Sequence, residues 1–404
     1  MSPTAQDLVQ SLCARGARFG LILLTVGGCA APPSSMSGRS EVLCPIVAEN
    51  PRAVLTETGY RVIFQPGEVV RRADGTLLAT VSSGVATRTA EGATEVVSDS
   101  LLAVEIGDNF ARMIFSPRGL PGVLRGARAA GQGSGWEFLF LVGDSMGSTE
   151  RVVSARWNGE QWSQPELVLS PPGVQLRFDH SSSLLAADGH LTWFVATREV
   201  GLLGDVLQVR RSDGQWRTRR VSGQSATYLT AVPDSGYGYW LAIVRTDSAT
   251  GPARNALFLS HIGPEEVSEV PIAERGDSPV HRPQITTSPE GVELFWLVAP
   301  GGNVGSTMVL RSAFMRDSVP VAVSDLAMAR SYVAATGLVV AEHDGSLSII
   351  DPANPLGTDV SRAWGEVVGA VRGAAIPGGL VVVANVLAGD EPSTGVIRFI
   401  RRCR

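Results

Sequence analysis

The sequence predicts an all-β fold on three observations: a turn-then-apolar-strand unit that recurs about seven times, abundant turn residues, and no window of sustained helical periodicity. The unit is plainest at Ser182 to Arg198, SSLLAADGHLTWFVATR, where Asp188-Gly189 separates an apolar run from an apolar and aromatic one. Asp-Gly in that setting signals a hairpin, because glycine accepts the positive φ that a tight turn demands. The glycines of the units stand at 75, 135, 189, 236, 291, 337 and 379, spaced by 60, 54, 47, 55, 46 and 42 residues. Such spacing suits one four-stranded sheet per repeat. A lone sheet cannot bury both faces, whereas sheets packed radially bury each other and shorten their exposed edges. A β-propeller of seven four-stranded blades follows, with six blades as the alternative if two weak units merge.

Composition sets outer bounds. Of 404 residues, 44% are hydrophobic and 18% charged, enough apolar material for a large core, and 45 glycines and 24 prolines supply the turns. A formal charge of −5, without a basic tract interleaved with aromatics, argues against a nucleic-acid partner. The five histidines are scattered and no His-Glu-x-x-His or Cys-x-x-Cys spacing occurs, so neither a metal site nor a cofactor is expected.

Residues 1–28 read as a lipoprotein signal peptide. Arg15 and Arg18 form a positive start, Phe19 to Val26 is a short apolar run, and Val26-Gly27-Gly28-Cys29 looks like the lipobox of bacterial lipoproteins. The apolar run falls well short of the roughly 20 residues that span a bilayer as a helix. Cys29 is then the lipidated residue, and 29–43, rich in small residues, Ser and Pro, is a flexible tether. The membrane, through this anchor, is one expected partner. The expected address is the bacterial envelope, with the outer membrane favoured because Ala30 rather than aspartate follows the cysteine. Cys44 and Cys403 remain in the mature domain, 44–404, one at each end. In an oxidising compartment they are expected to pair.

Each unit also carries an outer hairpin. Asn158-Gly159 reads as a two-residue turn between strands, and Asp213-Gly214 turns Leu207 to Val221. Weaker versions follow at Asn255 to Ile272, Thr307 to Val323 and Gly345 to Ile350. The last unit, Val367 to Arg402, supplies only about three strands, so Cys44 to Ala48 is expected to add the fourth and close the ring. Gly143-Asp144-Ser145-Met146-Gly147 fits the hydrolase pattern G-x-S-x-G, but strands on both sides make it a hairpin tip rather than a nucleophile elbow.

Phe64-Gln65-Pro66 followed by VVRRADGTLLATVSS, the turn Ser212-Asp213-Gly214-Gln215-Trp216, and WNGEQWSQP at Trp157 to Pro165 together resemble the sialidase-like, or Asp-box repeat, family of β-propellers. In catalytic members the first motif carries an arginine that grips the substrate carboxylate. Gln65 stands there instead, and no Tyr-Glu nucleophile pair or acid/base aspartate is placed by motif, so the resemblance implies the fold without the catalytic set.

In propellers the innermost strand of each blade lines the channel. The segments before the seven core strands carry Arg125, Arg128, Asp179, His180, Tyr228, His281, Arg282, Arg330, Tyr332 and Arg372. Converging, they would form a polar, net cationic pocket suited to an acidic glycan, a carboxylate or an acidic protein partner. The leading expectation is a monomeric, non-catalytic, lipid-anchored binding or scaffolding module. The alternative is a divergent sialidase-like glycoside hydrolase or lyase using channel carboxylates such as Asp179.

Overall fold

The computed structural model describes residues 44–402 apart from a series of short stretches, among them 57–60, 89–93, 97–100, 145–149, 248–253, 274–278, 301–307 and 361–364. The signal segment and tether at 1–43, and Cys403, lie outside the described residues. Pro45 to Arg402 form one compact unit.

Seven antiparallel sheets follow one another along the chain, and no α-helix occurs among the described residues. The blades begin with the inner strands Arg61–Arg71, Val123–Gln132, Val174–Ala187, Tyr228–Pro233, Val280–Ser288, Ser331–Ala335 and Glu366–Ile376. Blades 2 to 6 are simple four-stranded meanders; blade 1 adds the short strand Thr94–Val96 beside its second strand. The seventh supplies three strands of its own and takes its fourth from the other terminus. Ile46, Val47 and Ala48 pair with Arg401, Ile400 and Phe399, and Arg52–Ala53 adds a second short contact to the same strand.

Alternation within the second strand of each blade explains the radial packing. In Gly135–Gly143, Trp136, Phe138, Phe140 and Val142 face blade 1, whereas Leu139 and Leu141 face blade 3. Both faces being buried, the strand reads as an apolar run interrupted by the buried Glu137 rather than as an alternating one. Seven apolar clusters result, one at each interface between neighbouring blades. Leu184, Leu191 and Trp193, from the hairpin that announces the repeat, sit in the cluster between blades 2 and 3.

The turns follow local chemistry. Asp213 and Gly214, with φ of 53° and 75°, make the two-residue hairpin turn between Ser212 and Gln215. Asn158-Gly159 does not. Trp157 pairs with Trp162, so the loop spans four residues, and the Asn158 side-chain carbonyl accepts the backbone N–H groups of Glu160 and Gln161 at 2.9 Å each. Asparagine's capacity to mimic a backbone turn overrides the two-residue expectation here. The strands flanking the G-x-S-x-G segment, Gly135–Gly143 and Glu150–Trp157, are antiparallel partners, and positions 145–149 between them lie outside the described residues.

Candidate functional site

All seven inner strands contribute to one cavity of about 480 Å3 at the end of the channel opposite the inner hairpin turns. The alternation that would place residues there is interrupted in most blades. Register shifts fall at Pro66/Val69, Leu124/Gly126, Arg177/Ser182, His281/Gln284 and Val368/Arg372. A bulge bends its strand and re-aims the side chains beside it, and bulges concentrate next to binding sites. Here they turn charged side chains inward from strands whose other residues are committed to the core.

Three arginines line the cavity: Arg128 from blade 2, Arg282 from blade 5 and Arg372 from blade 7. Arg128 donates from Nε to Ser182 Oγ at 3.1 Å and from Nη1 to its neighbour's carbonyl, Ala127 O, at 3.2 Å. Arg372 reaches across the seam between the last and first blades, donating from Nε to Gly67 O at 2.7 Å and from Nη1 to Val371 O at 2.9 Å. Its Nη2 has no partner among the described residues. Burial, and secondarily the charge of Arg282, pull the Arg372 guanidinium down to about 10. Arg282 itself adopts a φ of 49°, which L-residues with long side chains rarely take. The Tyr332 hydroxyl lies 2.6 Å from the Arg282 carbonyl and 2.8 Å from that of Phe295, and shares its proton between them. Tyr332 is 3% exposed, so a rigid phenol holds the unusual backbone in place. No described carboxylate pairs with Arg282 or Arg372.

One carboxylate enters the described lining. Glu68 Oε2 sits 3.8 Å from Arg128 Nε and is shielded from solvent without a hydrogen-bond partner. Burial pushes its carboxyl above the ordinary value near 4.5, while Arg128 pulls the other way. Tyr228 completes the wall; its hydroxyl lies 3.1 Å from His281 Nδ1, the two rings edge to face. Burial first, and Arg282 second, lower the His281 pKa and keep the imidazole neutral.

Of the ten channel positions named from sequence, Arg128, Tyr228, Arg282, Tyr332 and Arg372 meet in this cavity. His281 stands behind Tyr228 rather than in the wall. Arg125 projects outward from a bulge and donates to Asp144 O at 3.1 Å, and Arg330 pairs with Asp344 at 2.8 Å on the exposed rim. Asp179 and His180 fall in the bulged part of Val174–Ala187, and their side chains lie outside the described residues. Gln65 is also at a bulge, its amide beside Gly369, where an added Cβ would come within 3.3 Å of Nε2. Glu68, Ser182 and Gln284 are among the polar contributors not named from sequence. A signal existed: Glu68, Arg128, Ser182 and Arg372 each stand seven residues before the hairpin glycine of their blade, Gly75, Gly135, Gly189 and Gly379.

No protein-family model and no curated protein sequence matches the chain. Among solved structures it is similar to a puromycin-hydrolyzing peptidase of Mycobacterium tuberculosis, at 13% identity and a TM-score of 0.52, covering 86% of this chain and 54% of the peptidase. The chain thus spans about half the length of that enzyme, and the likeness shows the fold alone. Weaker likenesses are to the Penicillium chrysogenum alpha-L-arabinanase, at 12% identity and a TM-score of 0.46 over 88% of this chain and 98% of that one. A neuraminidase-like protein of A/little yellow-shouldered bat/Guatemala stands at 9% identity and 0.42 over 88% and 99%.

Proposed function

We propose that this chain is an envelope β-propeller that binds an acidic sugar or other carboxylate at its channel mouth without cleaving it. The observation that carries this reading is the convergence of Arg128, Arg282 and Arg372 on one cavity whose described lining holds a single carboxylate, Glu68. Guanidinium groups match a carboxylate bidentately, and crowded arginines that outnumber their counter-charges favour an incoming anion. Most glycoside hydrolases need a pair of carboxyl groups flanking the scissile bond. Calorimetry with N-acetylneuraminic acid and glucuronic acid tests the reading. Binding that weakens roughly tenfold or more in Arg282→Met, as loss of a charge-assisted bond of about 1.5–3 kcal/mol requires, supports it. Equal binding by the variant, or no binding of either acid, counts against it.

A hydrolytic reading has its own observation in favour: burial raises the Glu68 carboxyl above its ordinary value, and the Tyr228 hydroxyl is poised against the imidazole of His281. Release of fluorophore from a sialoside or arabinoside, abolished by Glu68→Gln or Tyr228→Phe, would replace the binding reading with this one.

The lipid anchor at Cys29 and the outer-membrane address belong to the same proposal and rest on the lipobox. Loss of membrane association in Cys29→Ser is the expected outcome. A Cys44–Cys403 bond as the covalent staple of the ring is supported by the disulfide state of Cys44, and by Arg402 N donating to Pro45 O at 3.0 Å beside both positions. Two free thiols in protein recovered from the periplasm would remove it.

A further inference from the structure

A second cavity, of about 860 Å3, opens between blades 3 and 4 near the hairpin turns, away from the channel. One wall is the outer hairpin of blade 3, Leu202–Ser212 and Gln215–Ser222, which carries five arginines within eleven residues, Arg210 to Arg220. Three of the five are committed. Arg211 turns to blade 2, meeting Glu166 at 3.0 Å and Glu137 at 3.6 Å, and Arg220 pairs with Asp205 at 2.9 Å. Arg219 bridges the cavity floor, from Gln208 Oε1 at 3.1 Å to the carbonyls of Pro264 and Gly263 at 2.6 and 3.0 Å.

Arg210 and Arg217 are different. They stand directly opposite each other across the strand pair, on the face they share with Arg219, and both line the cavity. Neither has a hydrogen bond or ion pair among the described residues. Like charges directly opposite in a sheet destabilise it. On the far wall the carboxylate of Asp234 lies 3.0 Å from His261 Nε2 and makes no direct ion pair with Arg210 or Arg217 among the described residues. Glycines at 238 and 263 keep that wall low, and His190 sits at the same lip.

We propose that this groove binds a phosphate group. Two free guanidinium forks beside a third that is held rigid suit a tetrahedral dianion with three acceptor oxygens better than a planar carboxylate, and the bound charge would relieve the Arg210–Arg217 repulsion. The phosphate could belong to a soluble ester or to a phospholipid headgroup; the shared chemistry is what the groove recognises.

The test is titration of the mature protein with inorganic phosphate at constant ionic strength, followed by calorimetry. Arg210→Ala/Arg217→Ala is expected to lose roughly tenfold or more in affinity, while the channel variant Arg282→Met keeps groove binding, which separates this site from the proposed carboxylate site. Undiminished phosphate binding in the double variant overturns the proposal. Arg217→Glu supplies Arg210 with a counter-charge and is expected to raise the melting temperature while abolishing phosphate binding. A lowered melting temperature in Arg217→Glu would instead mark the pair as structural and overturn the proposal. Co-sedimentation with mixed phosphatidylcholine–phosphatidylglycerol vesicles, lost in the double variant, identifies the headgroup as the source; phosphate binding without co-sedimentation identifies a soluble ester.

Discussion

At the hairpin end of blades 1 and 2, Arg72 is surrounded by partners: Asp74 at 2.8 Å, Glu105 at 3.2 Å, the carbonyl of Ser134 at 2.9 Å, and the face of Trp136 at 5.2 Å. Glu105 in turn accepts Trp136 Nε1–H at 2.8 Å. At the channel mouth, Arg282 and Arg372 approach each other with no described carboxylate between them, and Arg372 spends its bonds on backbone carbonyls. The fold therefore knows how to neutralise a buried arginine and does so where only stability is at stake. Where it leaves the charge standing, at the channel mouth, no described carboxylate offsets it, and the proposed binding of an acid rests on that difference.

That contrast can be broken experimentally, most forcefully at Arg72. Arg72→Met strips the principal counter-charge from Glu105, which is 3% exposed, and is expected to cost about 3–5 kcal/mol in urea unfolding. Arg282→Met removes a like charge and is expected to change stability by no more than about 0.5 kcal/mol. Equal losses in the two variants would erase the distinction between a neutralised and an open arginine.

Glu293 sharpens the comparison from the acidic side. It sits at the hairpin end near Asp351, while Arg401 is committed to Asp351 at 3.3 Å. Burial raises its carboxyl to about 7, outweighing a backbone hydrogen bond from Gly337, with Asp351 adding to the rise. A raised carboxyl stabilises the fold fully below the ordinary value near 4.5, and that contribution is lost as pH rises through about 7. At about 1.4 kcal/mol per unit the loss is bounded at roughly 3 kcal/mol, and solvent screening of this half-buried carboxyl brings it below that. Glu293→Gln is expected to flatten stability against pH across this window, and parallel curves for variant and parent would refute it.

A smaller loss than at Arg72 or Glu293 is expected at Tyr332. Tyr332→Phe leaves the Arg282 and Phe295 carbonyls short of a donor, at about 1–2 kcal/mol. Its second readout is weaker acid binding at the channel, because Arg282 loses the hydroxyl that fixes its backbone. Unchanged binding would show that Arg282 holds its position without help.

The architecture was legible because hairpin glycines and double-faced apolar strands repeat, and both are local signals. The closing strand was legible because blade 7 is visibly one strand short. The site was only half legible. Arg125 and Arg128 lie three residues apart on one strand, so alternation alone parts them, and Arg125 is itself the extra residue of the bulge at Leu124/Gly126, outside the ladder that positions Arg128. Arg330 precedes an unbulged five-residue strand, Ser331–Ala335, and turns to Asp344 instead. Each bulged residue flips the side chains that follow to the other face, and a period-two pattern read from sequence does not register that flip. Glu68 was hidden in the same way, behind two shifts within Gln65 to Val69.

The strand exchanged between the termini also governs how the chain must fold. Ile46 finds its partner only at Arg401, and Thr394 Oγ1 meets the Phe64 amide across 330 positions of sequence. Contacts of such separation form late, since loop-closure entropy has to be overcome before they contribute. Until they do, the last blade presents Glu391–Arg401 as an open edge, the kind of edge that pairs with other molecules. The interval between synthesis of blade 7 and capture of Ile46–Ala48 is thus the stage at which this protein is most exposed to aggregation, and the N-terminal strand acts as its built-in guard.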